Sequence, residues 1–173
     1  MDLKYKIFYF ILVQSLVWGN SNDNKRGFIV DIGDPAPDFS MLLTTGETLK
    51  LSELKGSTVI LQFTASWCSV CRLEMPHLEK DIWKKYKDKN LLLIGIDRDE
   101  PLETVINFKK EMKTTYPIAL DPGGKIFSLF AERNSGVTRN IVINQSGEIV
   151  FLTRLFEENE YKQMLKVIES LVN

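Results

Sequence analysis

Apolar positions fall into two rhythms along this chain. Residues 59–64 and 91–96 are nearly continuous apolar runs of strand length, the pattern of strands covered on both faces. Between them, over 70–86, apolar residues return at helical spacing, with Leu78, Ile82 and Tyr86 on one stripe. Residues 102–112 predict a second helix. Residues 125–131 predict a short one, after the turn Asp121-Pro122-Gly123-Gly124. Residues 141–143 and 149–152 flank Gln145-Ser146-Gly147 and read as a hairpin. Tyr161, Met164, Leu165, Ile168 and Leu171 form the inner stripe of a last helix. Earlier, residues 41–43 and 48–51 flank a Gly46 turn as a small hairpin, and residues 52–56 make one helical turn ended by glycine. Strand–helix–strand followed by a hairpin predicts an α/β fold: a central mixed β-sheet with helices on both faces and an N-terminal β-hairpin extension.

A length of 173 residues suits one domain with a normal core, and 44% apolar with 26% charged residues is a globular composition. The net charge of −1 supplies no attraction for nucleic acid. The first residues follow a different pattern. Lys4 and Lys6 precede an apolar run over 7–18, broken by Gln14 and Ser15, and Val17 and Gly19 permit cleavage after Gly19. The expected organisation is a signal peptide over 1–19, a linker over 20–32 and one domain over 33–173. The run is shorter than the roughly 20 residues of a membrane span, with an uncleaved N-terminal anchor as the alternative. The expected location is the periplasm or another extracytoplasmic compartment.

Chemistry concentrates in Trp67-Cys68-Ser69-Val70-Cys71, which holds the only two cysteines of the chain. The pair follows a strand and opens a helix. A helix N-terminus places partial positive charge beside the first sulfur and lowers its pKa. Cys71, three residues on, shares that helix face and can form a disulfide with Cys68. As a mere staple the bond would close a very short loop and remove little chain entropy. Structural zinc needs four ligands, whereas the chain has two cysteines and one histidine, His77, which would aim poorly at a shared ion. Haem attachment needs histidine where Arg72 stands. No cofactor is expected. The acidic run Asp97-Arg98-Asp99-Glu100 reads as a solvated turn rather than a cation site.

The run from Val59 through Trp67-Cys68-Ser69-Val70-Cys71-Arg72-Leu73-Glu74-Met75-Pro76 resembles the thioredoxin superfamily, and within it the extracytoplasmic TlpA/ResA-like thiol–disulfide oxidoreductases. The opening Gly33-Asp34-Pro35-Ala36-Pro37-Asp38-Phe39 and the segment 51–56 fit the same group and its peroxiredoxin relatives. The resemblance implies a thioredoxin-like fold and dithiol exchange with exported, disulfide-containing proteins. Cys68 would attack, Cys71 would resolve the mixed disulfide, and Pro76 would kink the helix. Glu74 would handle protons; an ordinary solvated helix glutamate is the plain alternative. Gln62 stands where classical thioredoxins carry a buried aspartate, and it cannot titrate. Trp67 would cover the site and meet the partner. Thr138 occupies the place of the family's cis-proline and is a substrate-binding candidate. A carboxylate near the sulfurs disfavours the thiolate and makes the pair more reducing. By the same resemblance a membrane thiol reductant would recycle the protein, which is expected to be a monomer.

Two other functions compete. A peroxiredoxin-like peroxidase could use Arg139 to stabilise a thiolate, but such enzymes carry threonine or serine three residues before the reactive cysteine, where this chain has Ala65. A non-catalytic binding module would keep the fold without the chemistry.

Overall fold

The computed structural model describes residues 26–172. The expected signal peptide and its cleavage position lie outside the described residues. β3 (Thr58–Thr64) and β4 (Leu91–Arg98) lie in parallel, with Thr58 opposite Leu91 and Thr64 opposite Asp97. β5 (Ile118–Asp121) adds a third parallel strand beside β4. β6 (Arg139–Ile143) and β7 (Ile149–Arg154) continue antiparallel from the other edge of β3. β1 (Ser40–Leu43) pairs antiparallel with both β2 (Thr48–Lys50) and β5. The sheet order is β2-β1-β5-β4-β3-β6-β7. β5 carries no sequence signal of its own: unlike the short strands of the two hairpins, it has no turn-linked partner beside it in the chain.

Every residue of β3 is buried, which explains its unbroken apolar pattern. Alternate side chains serve two cores. Val59, Leu61 and Phe63 enter one with Phe127 and Phe130, covered by the 3-10 turns Pro122–Gly124 and Phe127–Leu129. Phe63 meets Phe127 edge-on with ring centroids 5.3 Å apart. Ile60 enters the other with Met75, Leu78, Phe108, Met164 and Ile168. These come from the helical run after the cysteines, α3 (Leu102–Met112) and α4 (Glu158–Val172).

The predicted helix over 70–86 is helical throughout but not uniform. α1 (Ser69–His77) contains Pro76, then widens into a π-helical stretch Leu78–Trp83 and ends as α2 (Lys84–Tyr86). Proline offers no N–H to the ladder, and a π-bulge is one way a helix absorbs that loss.

The stretch read as a linker requires correction from Arg26 onward. Phe28 and Val30 are buried in the first core, and Phe28 bridges Ala131. Two apolar side chains spaced two apart, as on an extended strand, give this segment a face to bury. Its polar neighbours hid that signal.

Candidate active site

β3 delivers the chain at Thr64, and four residues later Cys68 caps the N-terminus of α1. Its backbone is extended, at φ −86° and ψ 105°, so its sulfur can turn back over the first helical turn. The Cys71 amide donates to the Cys68 Sγ at 3.1 Å. The two residues are joined in a disulfide with Cα atoms 5.3 Å apart, and both belong to the first core. Cys68 is 8% exposed and Cys71 0%. Of the two residues, Cys68 alone touches solvent.

Thr138, the residue before β6, brings its Oγ1 to 3.1 Å from Cys68 Sγ and 3.3 Å from Cys71 Sγ. The described residues contain no cis peptide bond, so the loop that lacks the family's proline is trans. Trp67 is 63% exposed, which excludes a core-packing role.

Glu74 is the group whose environment departs most from the plain alternative. It is 1% exposed, not a solvated helix residue. Asn140 Nδ2 donates to Oε1 at 2.6 Å, and Gln62 Nε2 lies 3.4 Å from Oε2. Tyr116 donates its hydroxyl to Gln62 Oε1 at 2.8 Å, and Asn140 Nδ2 also reaches Thr153 Oγ1 at 2.8 Å. Burial pushes the Glu74 carboxyl up to about 7, against the two amide hydrogen bonds that favour its charged form. It can exchange a proton near neutral pH, which the non-titrating Gln62 cannot.

The acidic run after residue 96 also requires correction. Asp97 and Arg98 are the last residues of β4, and Asp97 is 0% exposed. Neither of its oxygens meets a donor. Burial first, and the Glu100 charge second, push its carboxyl up to about 8, which favours the protonated form near neutral pH. Glu100 accepts from the Ser66 amide and the Ser66 hydroxyl, both at 2.5 Å. Arg72 Nε donates to the Ser66 carbonyl at 2.7 Å, and its guanidinium engages Glu111 of α3. The residue just ahead of Trp67 and Cys68 is thus clamped from both sides. Solvation was the wrong expectation because the strand runs two residues past its apolar stretch and carries the carboxylate under cover.

Arg139 does not serve the sulfurs. Its guanidinium donates to the carbonyls of Gly136 and Arg26 and lies over the Phe28 ring, 4.4 Å from the centroid. The peroxidase alternative thereby loses its thiolate-stabilising arginine and keeps only the shared frame.

Sequence reasoning missed Asn140, Tyr116 and the Asp97–Glu100 pair. A polar residue within or directly after an apolar strand run was the available signal for Asn140 and Asp97.

Residues 32–152 match the model of the AhpC/TSA family. This chain belongs to that family. Among curated members it is similar to the thiol–disulfide oxidoreductase ResA of a Bacillus cereus strain, 33% identical over 130 residues, covering 72% of this chain and 73% of that one. ResA of Bacillus subtilis (strain 168) is 29% identical over 118 residues, covering 68% and 64%. Among solved structures, a Bacteroides thetaiotaomicron protein described as a protein disulfide isomerase is 53% identical, covers 84% of this chain and 92% of its own, and superposes with a TM-score of 0.82. A Chlorobium tepidum protein described as thiol:disulfide interchange protein DsbE is 28% identical, covers 83% and 99%, and has a TM-score of 0.74. With these relatives and a cysteine pair at bonding distance, this AhpC/TSA member has the thioredoxin-like fold and is a thiol–disulfide oxidoreductase.

Proposed function

We propose that this AhpC/TSA member reduces disulfides of exported proteins, with Cys68 as the nucleophile and Cys71 as the resolving thiol. The difference in exposure, 8% against 0%, carries this assignment, because only an accessible sulfur can form a mixed disulfide with a macromolecule. Exposed Trp67 offers the partner an apolar contact beside that sulfur. Glu74 gives and takes the proton as Cys71 alternates between thiol and thiolate. The protein works as a monomer outside the cytosol, after loss of residues 1–19 or tethered by them, and a membrane thiol reductant returns it to the dithiol form.

The direction follows from charge. A carboxyl group buried on the helix of the cysteines opposes a second anion there, so the dithiol form is less favoured. Titration against glutathione or dithiothreitol is expected to place the pair toward the reducing end of the range of about −270 to −120 mV. A potential at the oxidising end would reject the reducing role. Incubation of the dithiol protein with hydrogen peroxide is expected to give no rapid, saturable turnover, since Ala65 and the diverted Arg139 leave no peroxide-activating pair.

A further inference from the structure

Buried hydroxyls need partners, and among the described residues those of the Thr138 hydroxyl are the two sulfurs, at 3.1 and 3.3 Å. A disulfide sulfur carries no proton, so in this state the hydroxyl is the donor. We propose that the Thr138 hydroxyl is a catalytic hydrogen-bond donor to the Cys68 thiolate, forming with the Cys71 amide a two-point cradle for the charge on the reacting sulfur. The proposal rests on the reading of Cys68 as the nucleophile.

The cradle is held in place before any charge forms. Thr138 is 2% exposed. Its carbonyl accepts from the Leu155 amide at 2.9 Å and from Arg154 Nη1 at 3.4 Å, which ties it to the end of β7. The Cys71 amide, 3.1 Å from Cys68 Sγ, is fixed by the first turn of α1. Donors fixed in advance, in a site with little water, favour an anion more than mobile solvent does. A hydroxyl also rotates, so one donor can follow the charge from one sulfur to the other.

In the reductive cycle the Cys68 thiolate attacks one sulfur of the partner's disulfide. A new S–S bond forms, the partner's bond breaks, and its second sulfur leaves with the electron pair. The Cys71 thiolate then attacks Cys68 Sγ, forming the internal disulfide and expelling the partner's remaining sulfur as thiolate. Two electrons pass from the dithiol to the partner, whose thiolates take up protons from solvent. Thr138 keeps its proton throughout. It donates to Cys68 before the first attack and spans both sulfurs at the end, the arrangement seen here.

The test is the pH dependence of iodoacetamide alkylation of the reduced protein, with the modified residue located by mass spectrometry. Thr138→Val keeps the shape and deletes the donor. It is expected to raise the apparent pKa of Cys68 by about one unit, and so to slow alkylation about tenfold at pH values below both pKa values. Thr138→Ser keeps the hydroxyl and is expected to restore the original pKa. In a redox titration Thr138→Val is expected to move the pair in the reducing direction, by at most about 30 mV for a tenfold change. Thr138→Ala serves in the same assay should the valine variant lose its native circular dichroism. An unshifted pKa in the donor-deleted protein, with Cys68 still the residue alkylated, overturns the proposal alone. So does a serine variant shifted as far as the valine one. Alkylation of Cys71 instead of Cys68 in the unsubstituted protein overturns the nucleophile assignment as well.

Discussion

Cys68→Ser is expected to abolish reduction of a model disulfide, lowering the rate by at least about a thousandfold, because a serine hydroxyl at neutral pH is neither ionised nor comparably nucleophilic. Cys71→Ser should behave differently. Its Cys68 can still attack, but nothing then attacks Cys68, so a covalent mixed disulfide accumulates. The adduct is read as a mass increase, or as a slower band on a non-reducing gel that dithiothreitol removes. The asymmetry follows from burial: Cys68 touches solvent and Cys71 does not. Equal trapping by the two variants would mean that either sulfur can reach a partner, and the assignment of roles would fall. Survival of disulfide reduction in Cys68→Ser would remove the catalytic reading altogether. Trapping with Cys71→Ser in the host's extracytoplasmic fraction is also the direct route to the partners.

Glu74→Gln is expected to flatten two pH profiles in the neutral range. The first is activity. A buried carboxyl at about 7 changes protonation within the working range, and glutamine cannot. The resolution step should slow by about a hundredfold and lose its inflection near pH 7. The second is stability. The native carboxyl has its pKa raised from 4.5 to about 7, so between those values the folded protein holds a proton that the unfolded chain has released. Stability therefore falls as pH rises through that window and levels off above it, by ~3 kcal/mol at most. Glu74→Gln should lack this loss and gain on the parent protein between pH 5 and pH 8 in denaturant titrations. Asp97, raised to about 8, adds a slope of the same sign in both proteins, so the difference between them isolates Glu74. Parallel stability curves would show that Glu74 is ionised throughout and has no part in proton handling.

The strands β3 and β4 were legible as unbroken apolar runs, the helix after the cysteines by its helical spacing and the late hairpin by the turn between its two strands. The redox centre was legible for a related reason. Two cysteines three apart at a strand-to-helix junction are joined by local geometry, and no distant part of the chain is needed to bring them together. β5 was not legible, because its short apolar stretch lies between Pro117 and the turn at Pro122 with no hairpin partner next to it in the chain. Nor was the π-helical widening, which depends on how the helix answers Pro76.

The sequence by itself determined the α/β class, the place of the reactive pair and which cysteine opens the helix, all consequences of contacts within a few residues. Tertiary structure alone decided the surroundings of that pair. Thr138 lies seventy residues from Cys68, and Asn140 sixty-six from Glu74, yet each is within hydrogen-bond distance of its partner. The same packing buried Asp97 against Glu100 and carried Arg139 away from the sulfurs. A side chain's charge state depends on water access and on neighbours brought in by other strands, and a linear pattern of residues contains neither.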